Sequence, residues 1–192
     1  MFKVKGDMKP IIKHLNKTQK KQIPYAAAQA INSTLFDIMK AEKAQMPKKL
    51  DRPTSFTMKA FFINKAKKTE LVGDIHIARE RWKYLKYQVE GGTRTGNVLI
   101  PTKNAKLNKF GNIKGLRGGL KLKKNQYKGK IGNTYGVWEK TKSGTKLIIL
   151  FTNAAKYDKP RFPFHKIAEG VARKKFQRNF KRTLAWALRT AR

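Results

Sequence analysis

Apolar residues concentrate in two stretches of the chain, about 24–90 and 135–190, and a segment rich in glycine and lysine separates them. In the first stretch, apolar residues at helical spacing predict a helix that begins at Pro24 and ends before Pro47. Proline suits the first turn of a helix and resists its interior. A shorter amphipathic helix is predicted before it, over Met8 to Leu15. The chain is therefore expected to begin with helices.

Two β-hairpins are predicted where the apolar period changes to two. The first joins residues 56–62 to 71–77. The second joins 135–141 to 145–152 around a turn that contains glycine. The continuous apolar run from Leu147 to Phe151 is typical of a strand that is buried on both faces.

Two further helices complete the predicted elements. A short helix over 80–90 ends at Gly91 and Gly92, which supply left-handed backbone geometry. A long helix begins at about Pro163. The order predicts an α+β fold, with an antiparallel sheet of about four strands packed by a long N-terminal helix and a long C-terminal helix.

Charge adds a strong constraint. The chain has 46 Lys and Arg against 11 Asp and Glu, a formal charge of +35 on 192 residues. Such an excess opposes compaction and attracts polyanions. No acidic residue lies between Gly91 and Trp138, so a long basic Gly/Lys-rich loop at about 93–134 is predicted to be extended and to bind nucleic acid. Its candidate nucleic-acid-binding residues are all cationic: Lys103, Lys106, Lys109, Lys114, Arg117, Lys121, Lys123, Lys124, Lys128 and Lys130.

Two helix faces are candidate subunit contacts. The C-terminal helix is strongly cationic, which favours contact with a phosphate backbone or with an acidic neighbouring subunit. The alanine-rich face of the N-terminal helix allows close approach of another helix, either within the domain or in a second subunit. The candidate interface residues are Ala27, Ala30, Arg173, Lys174, Arg178 and Arg182.

The sequence offers little catalytic chemistry. It has no cysteine, which excludes disulfides, cysteine nucleophiles and cysteine zinc sites. Its three histidines lie far apart, and no pair has the spacing of metal ligands. Glu80 and Glu90 stand among basic residues and are interpreted as salt-bridge partners. We therefore expect no enzyme, no metal and no cofactor.

Membrane insertion is not indicated either. The longest clean apolar run, Leu147–Phe151, is too short to cross a bilayer. The first residues lack the apolar core of a signal peptide, so a cytoplasmic protein is the default expectation.

Three short stretches resemble a family of phage proteins. Residues 23–32, Ile-Pro-Tyr-Ala-Ala-Ala-Gln-Ala-Ile-Asn, resemble the entry into the main helix of the minor tail protein Z family of long-tailed bacteriophages. Residues 84–93, which include Tyr-Gln-Val-Glu-Gly-Gly-Thr, look like a turn of the wider group of tail-completion and head-tail joining proteins. Residues 161–164, Arg-Phe-Pro-Phe, are similar to an aromatic-proline signature of that group.

The resemblance implies a structural role without catalysis, cofactor, small-molecule substrate or membrane. It implies one tail-completion-like domain over 1–192, interrupted by the basic loop. Copies would form a ring, a hexamer by preference, at the head-proximal end of the tail in the virion, after assembly in the host cytoplasm. The implied partners are the tail terminator, tail tube and head connector proteins and the end of the packaged DNA. The loop is longer than the family core needs, so no role for it carries over.

A second class of protein explains the charge equally well. A free, sequence-nonspecific nucleic-acid-binding protein, associated with ribosomes or the nucleoid, would be as basic. Such a protein would need aromatic residues gathered in one strand as a platform for stacking bases, which the sequence pattern does not indicate. A basic nuclease or toxin would need a catalytic cluster of histidines or carboxylates, which the sequence does not supply.

Overall fold

The computed structural model describes residues 1–6, 17–114 and 119–190, without the side chains of 17–21. In these ranges the helices are α1 (Lys17–Lys49), α2 (Ser55–Met58), α3 (Arg79–Val89) and α4 (Phe164–Arg189). The strands are β1 (Phe2–Lys5), β2 (Phe61–Asn64), β3 (Val72–Ile77), β4 (Gly92–Pro101), β5 (Gln126–Ile131), β6 (Thr134–Thr141) and β7 (Gly144–Tyr157). The chain forms two compact units, Met1–Leu85 with Phe162–Arg192, and Lys86–Arg161.

The first unit packs helices on a three-stranded antiparallel sheet of order β1-β3-β2. α1 lies against β3, where Gly73 allows a close approach. A Cβ added at Gly73 would stand 2.7 Å from Leu35 Cδ1 and 3.1 Å from the Asn64 carbonyl oxygen. A larger residue here would therefore push α1 away from the sheet.

The main helix contact of the first unit joins α1 to α4. Ala26 and Ala30 are fully buried, which lets the helix backbones approach closely. The Thr183 hydroxyl donates to the Ala26 carbonyl at 2.9 Å. The buried Asn179 amide donates to Thr34 Oγ1 at 3.1 Å and to Asp37 Oδ2 at 2.9 Å. These polar contacts fix the register of α4 on α1, because a shifted helix would leave them buried without partners.

The start of α4 is anchored by aromatic stacking. Phe162 and Phe164 are buried, and their ring centroids lie 6.2 Å and 5.9 Å from that of Phe61 on β2. Residues 161–164, interpreted from the sequence as a family signature, thus provide the apolar contact between α4 and the three-stranded sheet.

The second unit is a four-stranded antiparallel sheet of order β4-β7-β6-β5. Its buried core consists of Val137, Ile148 and Ile149. Irregularities between Thr95 and Val98 and between Val137 and Trp138 interrupt the regular strand register. Such bulges bend a strand and increase its twist.

Several predicted elements are confirmed. The second hairpin is β6–β7, the first is β2–β3, and the long C-terminal helix begins at Phe164. α3 occupies the predicted short helix, and Gly91 and Gly92 after it have φ of 78° and 101°. The short helix predicted over Met8–Leu15 lies outside the described residues.

The α+β class is confirmed, but the single sheet of about four strands is corrected to two sheets. Three strands account for the difference: β1 precedes the first predicted helix, and β4 and β5 lie within the predicted loop at about 93–134. β1 is only four residues long, so it gives almost no periodic signal. The prediction of one interrupted domain over 1–192 stays a prediction.

Two predicted element boundaries were wrong. Phe56 lies in α2 because the Thr54 hydroxyl accepts the Thr57 amide at 3.2 Å and caps a helical turn. α1 continues through Pro24 and Pro47 instead of running only between them. Burial of Ile23 on the same helix face as Ala27 favours continuation through Pro24.

The prediction that the alanine-rich face of α1 is a subunit contact is also corrected. Ala27 is 2% and Ala30 0% exposed within the single chain. Both residues therefore belong to internal packing of the first unit and are not available to a second subunit.

One buried acid is unsatisfied among the described residues. Glu42 is 0% exposed, and neither of its carboxylate oxygens has a hydrogen-bond partner. It follows Ile31, Leu35 and Ile38 along one face of α1 and precedes Met46, all of which are fully buried. Burial disfavours the charged form and raises the pKa of Glu42 to about 8.

Ala30→Leu should lower the free energy of unfolding by roughly 1–3 kcal/mol, because the larger side chain overpacks the α1–α4 contact. Urea unfolding measures the change. Gln29→Leu is the matched control, since Gln29 is the exposed neighbour on the same helix and its substitution should cost much less. Equal stability of the wild type and Ala30→Leu would contradict the internal packing of this face.

Glu42 should make stability fall as pH rises from about 4.3 to about 8, since in this window the folded state keeps a proton that the unfolded state has lost. Glu42→Gln removes this titration. The difference in unfolding free energy between variant and wild type should grow by up to about 1.4 kcal/mol per pH unit across the window. A difference that is independent of pH would contradict the buried, uncharged state of Glu42.

Candidate nucleic-acid interface

The segment between β4 and β5, residues 102–125, is here called the basic segment. Its first residues are hydrogen-bonded to β7. The Thr102 hydroxyl donates to the carbonyls of Leu147 at 2.7 Å and Ile148 at 3.1 Å, and the Thr102 amide also donates to Ile148 at 3.0 Å. The Asn104 side-chain amide donates to the Leu147 carbonyl at 3.1 Å. Paired hydrogen bonds of this kind hold the chain over the sheet.

Hydrogen bonds within the basic segment also hold its next residues in a folded conformation. The Asn108 side-chain oxygen accepts from the amides of Phe110 at 2.9 Å and Asn112 at 3.1 Å. The Lys114 amide donates to the Lys106 carbonyl at 3.0 Å, which closes a turn of the chain. Asparagine is suited to such turns because its side chain imitates a backbone acceptor.

Apolar residues attach the basic segment to the sheet. Ala105, Ile113 and Leu120 are partly buried and pack against the core formed by Val137, Ile148 and Ile149. The predicted extended and self-repelling loop is therefore corrected: residues 93–101 and 126–131 are in strands, and much of the part between them is folded over the sheet. Burial of apolar surface compensates for repulsion among the cations.

The candidate cationic side chains of the described residues are exposed to solvent. Nine of the ten are in described residues, and all nine are exposed: Lys103, Lys106, Lys109, Lys114, Lys121, Lys123, Lys124, Lys128 and Lys130. Arg117 lies outside the described residues. Among the ion pairs of the described chain, none includes any of these nine lysines. Their charge is therefore open to an external anion.

The cations of α4 form a separate group in the first unit. Arg173, Lys174, Arg178 and Arg182 are all exposed. Arg173 donates to Glu169 at 2.6 Å, an exposed helix pair of the kind that adds little stability. The structure thus assigns the predicted cationic residues to both units.

Sequence reasoning missed a third basic group on the β6–β7 hairpin. Lys140, Lys142 and Lys146 are exposed around its turn. The Lys140 ammonium also lies 5.6 Å from the centroid of the Tyr127 ring. The sequence contains the signal, since these basic residues flank the predicted turn of the second hairpin.

Local pairing accounts for Glu80 and for His76, whereas the predicted salt bridge of Glu90 does not occur among the ion pairs of the described residues. Glu80 accepts from Lys83 at 2.7 Å, as the salt-bridge interpretation predicts. On β3, His76 Nδ1 lies 2.8 Å from Asp74 Oδ2, and Asn64 donates to the same carboxylate at 3.0 Å. Burial opposes ionisation of Asp74, but these hydrogen bonds outweigh it and lower its pKa.

The described residues provide no metal centre and no membrane-spanning helix. Within them, no three His, Asp or Glu side chains are grouped so as to hold a metal ion. None of the described helices is long and apolar enough to span a bilayer.

Comparison of the chain with protein-family models, with curated proteins and with solved structures finds no match.

Proposed function

We propose that the protein is a structural subunit that holds nucleic acid by its phosphate backbone, through the lysines of the basic segment and of β5. The observation that carries the proposal is the set of nine exposed lysines without ion-pair partners, of which seven lie on the folded basic segment and two on β5. Cations that are fixed before binding lose less conformational entropy than cations on a free loop. Lysine contacts to phosphate carry no sequence information, so binding is sequence-nonspecific.

The charge distribution of the second unit supports this role. Glu90, Glu139 and Asp158 are the only acidic residues in 86–161. Asp158 accepts from Lys156 at 2.9 Å, and Glu139 accepts from the Gln126 amide at 2.7 Å. The acids of this unit are few, two of the three have a partner of their own, and none of the three forms an ion pair with a candidate lysine.

The setting that we propose is the head-proximal end of a phage tail, where copies of the subunit form a ring, join tail to head and contact the end of the packaged DNA. This part rests on the three stretches that resemble tail-completion proteins. Two of them have structural roles here: Phe162 and Phe164 anchor α4, and Tyr84 hydrogen-bonds Thr57 at 3.0 Å. The exposed cations of α4 supply a surface for an acidic neighbour in the ring.

One observation favours the alternative of a free nucleic-acid-binding protein. Tyr127 and Trp138 are partners across β5 and β6, on the same sheet as Lys128 and Lys130. This places two aromatic residues opposite each other in one sheet, which the sequence pattern had not indicated. The pair is half-buried, and the Trp138 indole donates to the Gly129 carbonyl at 3.0 Å, so it presents less free ring surface than a stacking platform does.

Replacing five lysines of the second unit by glutamine should reduce the salt dependence of binding to random duplex DNA. The slope of log K against log salt should fall by about 0.9 for each lysine that contacts a phosphate. The variant changes Lys121, Lys123, Lys124, Lys128 and Lys130. The control removes five exposed lysines of the first unit: Lys3, Lys5, Lys40, Lys67 and Lys68.

Fluorescence anisotropy over a salt series measures both variants. Equal slopes for the wild type and the second-unit variant would reject the phosphate contact. Circular dichroism should show an unchanged fold, because all ten replaced side chains are exposed.

Deleting the gene should leave DNA-filled heads and separate tails that do not form infectious particles, because the joining subunit is missing. Electron microscopy of lysates and plaque counts measure the outcome, and expression of the gene from a plasmid should restore infectivity. Normal infectivity of the deletion strain would reject the tail role, whatever the protein does with DNA in solution.

A further inference from the structure

A cavity of about 260 Å³ opens in the second unit beside the basic segment. Four exposed lysines stand around it: Lys106, Lys114, Lys121 and Lys123. Its floor is the apolar lining that remains partly exposed, formed by Ile113, Leu120 and Leu122 above the nearly fully buried Val137, Ile148 and Ile149. A cationic rim above an apolar floor suits a ligand that has an anionic part and a flat or apolar part.

Two polar side chains of the same cavity narrow the choice of ligand. Gln126 donates to the half-buried carboxylate of Glu139 at 2.7 Å and accepts from the Lys123 amide at 3.2 Å. The carboxylate disfavours a bare phosphate or sulfate ion by like-charge repulsion. It is also a hydrogen-bond acceptor of the type that takes an amino group of a nucleobase.

We propose that this cavity receives one unstacked base of a single-stranded nucleic acid. The base lies against the apolar floor, and the phosphates on either side of it lie on the lysine rim. The cavity is smaller than the roughly 300–1,000 Å³ of pockets for drug-sized ligands, so it holds one base. A duplex keeps its bases stacked inside, and extruding one of them costs free energy.

This inference rests on the proposed function and adds a ligand class to it. If the protein contacted only phosphates, its affinity for single and double strands would depend only on their charge. Base insertion adds a preference for unpaired nucleotides, such as those at a strand end or in a gap.

The test compares three ligands of one length by anisotropy at a fixed salt concentration: a single-stranded oligonucleotide, the same strand with abasic sites throughout, and the duplex. The abasic strand keeps every phosphate and loses every base. The wild type should bind the base-bearing strand at least about fivefold more tightly than the abasic strand, because burial of roughly 40 Å² of apolar base surface on the floor is enough for such a difference.

Two charge-matched variants locate the effect. Lys121→Gln with Lys123→Gln changes the rim of the cavity, whereas Lys128→Gln with Lys130→Gln changes exposed cations of β5 that do not line it. The rim variant should lower the affinity ratio of base-bearing to abasic strand, because a strand whose phosphates are no longer held at the rim binds through other lysines and inserts its base less often. The β5 variant should weaken binding to both strands and keep the ratio.

The outcomes separate the two proposals. Equal, salt-dependent binding of base-bearing and abasic strands by the wild type would overturn base insertion and leave the phosphate contact standing. A ratio that falls equally in both variants would also overturn the assignment to this cavity. A free mononucleotide that binds as tightly as the oligonucleotide would overturn the assignment to a strand. Absence of binding to all three ligands would reject the proposed function itself.

Discussion

The apolar contact between the basic segment and the four-stranded sheet is the interaction on which the surface of the second unit depends. Ala105, Ile113 and Leu120 pack on the sheet core, while the lysines around them repel one another. Charges within about 10 Å of each other interact appreciably at 0.1 M salt. The apolar packing and the hydrogen bonds of Thr102 keep the basic segment on the sheet despite the repulsion among its lysines. The lysines therefore stay close together and attract a polyanion.

The elements that the sequence predicted well are those whose signals are local. The β6–β7 hairpin follows from alternating residues around Gly144, which has φ of 123°, and the end of α3 follows from Gly91 and Gly92. The basic segment was not predictable in this way. Its apolar residues are single and irregularly spaced among lysines, and their partners lie some 30 residues later on β6 and β7. Composition indicated where its charge lies, but only long-range packing explains why it folds.

The packing partners of the helix faces could not be predicted from the sequence for the same reason. An alanine-rich face predicts close packing, but its pattern is the same whether the partner is α4 of the same chain or a second subunit. On α4, apolar character alone would place Leu188 in the core, but it is 43% exposed, whereas Asn179 is buried at 1%. Asn179 faces inward because Thr34 and Asp37 on α1 provide its hydrogen-bond partners. A polar residue with partners that are distant in sequence cannot be recognised as a core residue from spacing alone.

The most direct measurement is amide hydrogen exchange of the basic segment in the free protein, by nuclear magnetic resonance, without nucleic acid. The amides of Thr102, Asn108 and Lys114 donate to backbone carbonyls. If the segment is folded on the sheet before binding, these amides should be protected from exchange, while neighbouring amides without such bonds exchange freely. Exchange of all three at the rate of an unstructured peptide would contradict the folded segment, and with it the fixed cationic surface.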